Sequence, residues 1–311
     1  MRTLVTGASG FVGRHLVDHL QACHDEVVAL AEGVDICDVD GLTDAVREAA
    51  PQVVYHLAGW AHVGESWRHA PEVHRVNVVG TAALLAAIQS TGGSPRTLVV
   101  GSADAYGPPG EDDLPLSEAT PLRPMSPYGA SKAAAEVVAG QVWRSSGLPV
   151  VLTRSFNHTG PGQSSTFLVP ALARRIAEAS VDGNRRDVAV GNLTARRDLL
   201  DVEDVVRAYR LLALRGAPGT AYNVCSGTAV AVVDIARRLL AMAGGDLRLV
   251  QDPALMRPVD VPILVGDNTR LRALGWAPEV PLDETLRRVL DAALALVSCA
   301  PPRGPGGSGP R

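Results

Sequence analysis

The sequence contains almost no lysine and few cysteines. Lys132 is the only lysine among the 29 basic residues of this 311-residue chain, and all the others are arginine. The cysteines Cys23, Cys37, Cys225 and Cys299 are scattered without C-x-x-C spacing, which disfavours a disulfide framework or a zinc site. Reduced thiols of this kind are typical of cytoplasmic proteins.

A large charge excess and long apolar runs are also missing. The 29 basic and 33 acidic residues give a formal net charge of -4, which leaves no electrostatic footprint for nucleic acid. No apolar run reaches the roughly 18 residues that span a bilayer, and the strand pattern starting at Arg2 leaves no room for a signal peptide. We therefore expect a cytoplasmic protein without nucleic-acid or membrane partners. The irregular spacing of His62, His69 and His74 predicts no metal site.

The chain alternates short apolar runs with longer helical patterns, which is typical of βαβ units. Predicted strands cover Thr3–Thr6, Glu26–Leu30, Val53–Leu57, Thr97–Gly101, Pro149–Arg154 and Ala221–Val224. Predicted helices cover Phe11–Cys23, Leu42–Ala50, Val73–Gln89, Ser126–Trp143, Leu168–Ala179 and Glu203–Arg215. The pattern predicts an α/β fold with a Rossmann-type doubly wound parallel sheet and a smaller C-terminal substrate-binding lobe.

The expected domain boundaries follow from where this alternation loosens. Residues 1–155 form the predicted dinucleotide-binding domain, to which the chain returns near 187–228. Residues 156–300 mainly form the predicted nucleotide-sugar lobe. The last eleven residues, 301–311, are rich in Pro, Gly, Arg and Ser, which predicts a disordered tail.

A glycine-rich turn follows the first strand and opens the first helix. Its sequence places Gly7, Gly10 and Gly13 around Phe11 and Val12. Such a turn lets backbone N–H groups and a helix N-terminus approach a pyrophosphate, so it predicts NAD or NADP binding. No Asp ends the second strand cleanly, and Arg14 is a candidate partner for a 2′-phosphate. The choice between the two dinucleotides therefore stays open.

A second motif is Tyr128-Gly129-Ala130-Ser131-Lys132 at the start of a predicted helix. A spacing of four residues puts the Tyr128 phenol and the Lys132 ammonium on one helix face. A neighbouring positive charge favours the phenolate and brings tyrosine into the range of acid–base catalysis. Ser102 ends the fourth strand, where a parallel sheet binds ligands, and can donate a hydrogen bond to the same carbonyl.

These residues make the chain resemble the nucleotide-sugar branch of the extended short-chain dehydrogenase/reductase family, from about Arg2 to Leu296. The resemblance implies that Ser102, Tyr128 and Lys132 form the catalytic set. Cofactor contacts implied by the same resemblance come from the stretch His56-Leu57-Ala58-Gly59, from Asn77, and from Asp35 and Ile36 beside an adenine ring.

Motifs later in the chain resemble the GDP-mannose 4,6-dehydratase and GDP-4-keto-6-deoxymannose reductase subgroup. They are Phe156–Gln163, Ala195–Asp198, and Arg257–Pro262 with Gly266-Asp267. This resemblance implies that Asn157, Arg197 and Arg257 hold the nucleotide diphosphate, for which a guanidinium fork is well suited. It also implies a homodimer built on the Val73 and Ser126 helices.

The residues next to Ser102 bear on the reaction type. A 4,6-dehydratase needs an acid and a base at the positions held in this sequence by Ala103 and Asp104. Ala103 exchanges no proton and Asp104 is one methylene shorter than glutamate, although Asp104 remains a candidate catalytic residue. We expect NAD(P)H-dependent reduction of the C4 ketone of a nucleotide-linked 4-keto-6-deoxyhexose. A 4-epimerase with tightly bound NAD, a 4,6-dehydratase and a non-catalytic dinucleotide sensor remain alternatives.

Overall fold

The computed structural model describes residues 1–182, 186–255 and 261–299. These residues form two compact units. The first contains residues 1–158, 194–231 and 261–282, and the second contains residues 159–182, 186–193, 232–255 and 283–299. None of the described helices combines the length and the apolar character needed to cross a bilayer.

Strands and helices alternate along most of the described residues. The strands are β1 (Arg2–Thr6), β2 (Glu26–Ala29), β3 (Val53–His56), β4 (Arg96–Ser102), β5 (Val150–Ser155), β6 (Asn157–Thr159), β7 (Asp187–Val190), β8 (Arg196–Asp201), β9 (Ala221–Val224), β10 (Ala229–Ala231), β11 (Arg248–Gln251) and β12 (Ile263–Leu264). The α-helices are α1 (Phe11–Ala22), α2 (Val39–Ala49), α3 (Val63–Ser66), α4 (Ala70–His74), α5 (Gly80–Ser90), α6 (Pro127–Ser146), α7 (Leu168–Val181), α8 (Val202–Arg215), α9 (Val232–Ala243), α10 (Thr269–Arg272) and α11 (Leu282–Ser298). Further turns are a π-helical segment (Arg75–Val79) and 3-10 segments (Ala103–Ala105, Glu111–Asp113, Pro253–Leu255).

A parallel sheet with the order β2-β1-β3-β4-β5-β9 forms the centre of the first unit. Strands β3 and β5 are buried along their whole length, as expected for strands covered on both faces. Leu16 of α1 and Leu212 of α8 belong to one apolar cluster, whereas Leu42 of α2 and Leu84 of α5 belong to another. Helices therefore cover both faces, which confirms the predicted Rossmann-type fold.

The order of strands determines where a ligand can bind. The chain passes from β1 to β2 on one side and then crosses to β3 on the other side of β1. The residues that end β1 and β3, Thr6 and His56, lie opposite each other in the register. In such sheets the crevice beyond the carboxyl ends of the strands, at this switch in direction, is the ligand site.

Two helix predictions differ from the structure. The continuous helix predicted over Val73–Gln89 is interrupted, because the backbone widens into a π-helical turn between α4 and α5. Helix α2 starts three residues before the predicted Leu42, because the Asp38 carboxylate accepts a hydrogen bond from the amide of Asp40 and caps that earlier start.

The later strands and helices are harder to predict. The sequence pattern does not reveal β8, whose sequence Arg-Arg-Asp-Leu-Leu-Asp does not alternate between apolar and polar residues. The helices α9 and α11 are also absent from the prediction. Both are amphipathic, and they follow segments that contain several turn residues.

The second unit contains α7, α9, most of α11 and the parallel strand pair β7 and β11. Leu172 and Ile176 of α7 and Ile235 and Leu239 of α9 are buried, so apolar packing holds these helices. The described part of the chain ends at residue 299, so the predicted tail lies outside it. The proposed domain boundary at residues 155 and 156 stays a prediction.

A buried ion pair joins the sheet to α6 and to the turn after β4. The Arg154 guanidinium donates two hydrogen bonds to the Glu136 carboxylate, at 2.9 and 2.6 Å, and one to the Tyr106 hydroxyl at 2.9 Å. The Tyr106 hydroxyl donates in turn to Asn223 Oδ1 at 2.7 Å. The side chains of Arg154 and Glu136 are only 7% and 16% exposed. This network fixes the segment that directly follows Ser102.

We expect Arg154→Ala to lower the free energy of unfolding by about 3–5 kcal/mol, because it leaves the Glu136 carboxylate buried without its partner. Urea unfolding of the wild type and the variant measures this. Arg154→Lys keeps the charge but loses the two-pronged geometry, so an intermediate loss is expected. A loss below about 1 kcal/mol for Arg154→Ala would mean that the pair contributes no more than a surface ion pair.

Candidate active site

The glycine turn lies between β1 and α1 and fits a dinucleotide. Gly7 has a φ of +71°, and a Cβ at this position would lie 2.7 Å from the amide nitrogen of Ala58. The amide of Gly10 donates to the carbonyl of Gly7 at 3.1 Å, which closes the turn. Phe11, Val12 and Gly13 then form the first turn of α1, so its amide groups are available to a pyrophosphate.

The residues predicted to lie near the adenosine half of the dinucleotide form hydrogen bonds or packing contacts within the protein. Arg14 Nη1 donates to the Ser9 carbonyl at 2.9 Å. Asp35 accepts hydrogen bonds from the Cys37 amide at 2.9 Å and from Arg75 at 3.1 Å, and both lower the pKa of its carboxyl. Ile36 is buried against Gly80. Asp35 and Ile36 therefore shape the loop after β2, and their contact with an adenine ring stays a prediction.

A buried chain of hydrogen bonds connects β1, β3 and the π-helical turn. The Thr81 hydroxyl donates to the Asn77 carbonyl at 2.7 Å, so it accepts from His56 Nε2, 3.0 Å away. His56 Nδ1 then accepts from the Thr6 hydroxyl at 2.8 Å, and Thr6 Oγ1 accepts from the Ala58 amide at 3.1 Å. His56 therefore donates a hydrogen bond from Nε2 and accepts one at Nδ1, which requires a neutral imidazole.

The electrostatics of His56 agree with that requirement. Burial, followed by the charge of Lys132, lowers the pKa of His56 to about 3. The imidazole therefore stays neutral throughout the physiological pH range. It holds the Leu57-Ala58-Gly59 segment in place as part of the scaffold and takes no part in proton exchange at neutral pH.

Asn77 connects this chain of hydrogen bonds to the Tyr-Lys motif. Its Oδ1 accepts from the Trp60 amide at 2.7 Å, and its Nδ2 donates to Ser131 Oγ at 2.8 Å. The Ser131 hydroxyl donates to the Tyr128 carbonyl at 2.7 Å. A Cβ on Gly59 would lie 2.8 Å from Asn77 Oδ1 and 3.5 Å from Lys132 Nζ. The absence of a side chain at Gly59 thus lets the Asn77 amide and the Lys132 ammonium approach this segment closely.

Tyr128 and Lys132 lie on the first turns of α6, which Ser126 caps by accepting from the Gly129 amide at 3.0 Å. The Lys132 ammonium donates to the Val100 carbonyl at 2.9 Å, and its burial lowers its pKa to about 8. At pH 7 most of the Lys132 side chains still carry a positive charge.

Ser102 and Asp104 lie beside the Tyr128 phenol. The Ser102 hydroxyl donates to Asp104 Oδ2 at 3.1 Å, and it accepts from the Asp104 amide at 3.1 Å. Burial is the largest influence on Tyr128 and raises the pKa of its phenol, the negative charge of Asp104 raises it further, and hydrogen bonding with Ser102 partly opposes both. The structure therefore brings together Ser102, Asp104, Tyr128 and Lys132 at the carboxyl end of β4.

The predicted substrate residues are only partly described. Asn157 is exposed on β6, and Arg197 is half-buried on β8, the strand that pairs with β6. Arg197 Nη1 donates to the carbonyl of Arg196 at 2.9 Å and to that of Val261 at 2.7 Å. Arg257 lies outside the described residues. Diphosphate binding by these three residues stays a prediction.

The supporting polar residues are not identified by the sequence analysis. Thr6, Thr81 and Ser131 are each at most 2% exposed, and each contributes a hydroxyl to the network described above. The sequence signal that could have identified them is a polar residue within an apolar strand or helix pattern, because a buried hydroxyl needs a hydrogen-bond partner. That signal does not reveal which residues the fold brings close enough to be those partners.

Comparison with known proteins agrees with this arrangement. The family model described as GDP-mannose 4,6 dehydratase matches residues 31–289. The chain is 37% identical to the GDP-6-deoxy-D-mannose reductase of Pseudomonas aeruginosa, covering 93% of this chain and 96% of the relative. The solved structure of RMD from Pseudomonas aeruginosa complexed with NADPH is 35% identical, with a TM-score of 0.89 and coverage of 95% of this chain and 100% of that one.

A UDP-glucose 4-epimerase structure from Thermotoga maritima, determined with UDP-glucose, is also similar. It is 26% identical, with a TM-score of 0.87 and coverage of 96% of this chain and 100% of that one. Because the family model matches most of the chain, and because the first relative is similar over nearly its whole length, the chain belongs to the GDP-mannose 4,6 dehydratase family of extended short-chain dehydrogenases/reductases.

Proposed function

We propose that this protein reduces the C4 ketone of a nucleotide-linked 4-keto-6-deoxyhexose, of the GDP-4-keto-6-deoxymannose type, with NADPH or NADH as the reductant. The observation that carries the proposal is the grouping of Ser102, Tyr128 and Lys132 around the end of β4, next to the unreactive Ala103. The reductase name of the Pseudomonas relative supports the same reaction.

Elimination of water, the dehydratase reaction, is poorly supported by this site. Ala103 is 1% exposed and packs in an apolar cluster with Tyr106 and Phe156, and its methyl side chain supplies neither an acid nor a base. The Asp104 carboxylate accepts the Ser102 hydroxyl, which directs one of its oxygens toward the serine. Removal of a C5 proton and loss of the C6 hydroxyl need two such groups free to act.

The residues of the site supply the proton and the charge balance. A reduced nicotinamide, when bound, would supply the hydride to C4 and become oxidised. The Tyr128 phenol gives its proton to the C4 oxygen, so that the ketone becomes a secondary alcohol and the tyrosine becomes a phenolate. The Ser102 hydroxyl hydrogen-bonds the same oxygen as negative charge develops on it. The Lys132 ammonium stabilises the phenolate until a solvent proton restores the phenol.

The substrate and cofactor contacts are assigned in the same proposal. Asn157, Arg197 and Arg257 bind the diphosphate of the sugar nucleotide. The glycine turn and α1 bind the dinucleotide pyrophosphate, and Asn77 orients the segment around Gly59. Asp104 is proposed to act in the same site.

We propose a homodimer in the cytoplasm. Val79, on the π-helical turn, and Val137, on α6, are 50% and 64% exposed, and exposed apolar side chains of this kind suit contact with a second copy of this chain. Four free cysteines suit a reducing compartment that also supplies nicotinamide cofactors.

The first test is the nicotinamide status of the purified protein, followed by NADPH and NADH oxidation with GDP-4-keto-6-deoxymannose, read by absorbance. We expect stoichiometric oxidation, and a loss of about 10²–10⁴-fold in kcat for Tyr128→Phe because the proton donor is gone. Tyr222→Phe is the matched control, since that hydroxyl accepts a structural hydrogen bond from the Ala217 amide. Tightly bound NAD with no external cofactor consumed, together with C4 inversion of a GDP- or UDP-hexose, would instead establish an epimerase.

Lys132 should give the reaction a pH limit. Its burial lowers the pKa to about 8, so the charge that stabilises the phenolate is present below that value and is lost as the pH rises through it. We expect kcat to fall above about pH 8 in the wild type. Lys132→Arg should reduce kcat about 10²-fold, because a planar guanidinium fits the site poorly, while removing this fall. The same fall above about pH 8 in both proteins would exclude Lys132 as its cause.

The dimer is tested by Val137→Asp, which puts a charge in the centre of the proposed apolar contact. One chain has a mass of 32.5 kDa, and sedimentation equilibrium of the wild type should give twice that mass. The variant should shift toward the mass of the monomer. Val181→Asp, on an exposed site of α7, is the control. A dimer of unchanged stability in Val137→Asp would place the interface elsewhere.

A further inference from the structure

The motif Ala195–Asp198 ends in an aspartate to which the proposed reaction gives no role. Asp198 lies on β8, one residue after Arg197, and is 0% exposed. Burial of a carboxylate is costly in free energy unless hydrogen bonds or a cation compensate for the lost hydration. The hydrogen-bond partners of this carboxylate therefore indicate what it does.

Four hydrogen bonds converge on the Asp198 carboxylate. Its Oδ1 accepts from the amide and from the hydroxyl of Ser226, both at 2.7 Å. Its Oδ2 accepts from the amide of Gly227 at 2.9 Å and from the amide of Gly266 at 3.3 Å. Burial is the largest influence on this carboxyl and raises its pKa, whereas these hydrogen bonds oppose the rise. Because three of the donors are backbone amides, the side chain holds the backbone of other segments directly.

These donors belong to the two segments that flank Arg197. Ser226 and Gly227 form the turn between β9 and β10, and β10 pairs with β8 opposite Arg197. Gly266 follows β12, a strand of two residues that pairs with the other side of β8, also opposite Arg197. Asp198 therefore ties both neighbouring strands of Arg197 to β8.

The Arg197 side chain contacts one of these segments itself. Its Nη1 donates to the carbonyl of Val261, two residues before β12, at 2.7 Å. Arg197 and Asp198 thus hold the two ends of the same short strand. A Cβ at Gly266 would lie 2.6 Å from the Phe156 ring, so the end of the strand held by Asp198 is packed closely against its surroundings.

We propose that Asp198 is a positioning residue for the diphosphate subsite: by tying the neighbouring strands to β8, it holds the Arg197 guanidinium where its fork can bind the diphosphate of a sugar nucleotide. This role rests on the function proposed above, which assigns Arg197 to the diphosphate. Two-pronged binding of phosphate oxygens depends on the orientation of the guanidinium, so a displacement of β12 or β10 relative to β8 weakens it.

Asp198→Asn tests the role because it keeps the shape of the side chain but turns an NH₂ group toward amides that can only donate. We expect GDP, the nucleotide part of the proposed substrate, to bind about tenfold more weakly, because a displaced guanidinium loses part of its two-pronged contact. The Kd of NADPH should change less than about twofold, since the glycine turn shares no partner with Asp198. Isothermal titration calorimetry of the full chain measures both constants.

Asp201→Asn is the matched control, because Asp201 is a second buried aspartate on the same strand, 2% exposed. Its carboxylate accepts from the Glu203 amide at 2.8 Å and caps α8. This variant should bind GDP as the wild type does. An equal loss of GDP affinity in both variants would show that a general weakening of β8 is the cause, and the positioning role would be wrong.

A double substitution tests whether Asp198 acts through Arg197. Arg197→Ala removes the guanidinium and should itself weaken GDP binding, so adding Asp198→Asn should then cost no further affinity. Losses that multiply would contradict the proposed role. If Asp198→Asn fails to fold, Ser226→Ala supplies the same comparison, because it removes one of the four donors and should weaken GDP binding about threefold.

GDP binding also separates the positioning role from the proposed function. A wild-type protein that binds no GDP would contradict the assignment of Arg197 to the diphosphate, and the role of Asp198 would fall with it. A wild-type protein that binds GDP, together with an unchanged Kd in Asp198→Asn, would refute the role of Asp198 alone and leave the proposed reductase standing. Neither result depends on turnover of a sugar substrate.

Discussion

The close approach of α6 to the carboxyl end of β4 is the constraint on which the candidate site depends. A Cβ at Gly129 would lie 2.5 Å from the Asp104 carbonyl, so no larger residue fits there without moving the helix. The same approach lets the Lys132 ammonium reach the Val100 carbonyl at 2.9 Å. Helix and strand together place a phenol, a hydroxyl, a carboxylate and an ammonium in one small volume.

A polar network beside this contact holds the segment after β3 and the first turn of α6 in one arrangement. Asn77 is held at both ends of its amide, by the Trp60 backbone and by Ser131, and its carbonyl receives the Thr81 hydroxyl. The π-helical turn that carries Asn77 departs from regular α-helix geometry. The Asn77 side chain connects the segment after β3 to the first turn of α6. Each of these buried donors has a partner, so the network stabilises a single arrangement.

The sequence is most informative where local rules control the structure. The Gly7 turn, the spacing of four between Tyr128 and Lys132, and the apolar strands predict the Rossmann-type sheet and the edge at which these residues meet. The sequence pattern does not predict the π-helical turn, whose Asn77 contacts the Trp60 backbone and Ser131, both distant in sequence. Strand β8 escapes prediction for a related reason, since its Asp198 is buried by accepting from the amides of Ser226 and Gly227, which are distant in sequence.

The single lysine also has a physical explanation in this structure. The chain uses arginine for its ion pairs, and Arg154 shows why, because its planar fork satisfies Glu136 with two hydrogen bonds at once. The position behind Tyr128 is different. It offers one backbone carbonyl and a narrow space beside Gly59, which suits a compact ammonium with a rotating set of three donors. Burial there lowers the pKa of Lys132 to about 8, so the ammonium is still mostly charged at neutral pH. Lysine is therefore the residue that the geometry of this position favours.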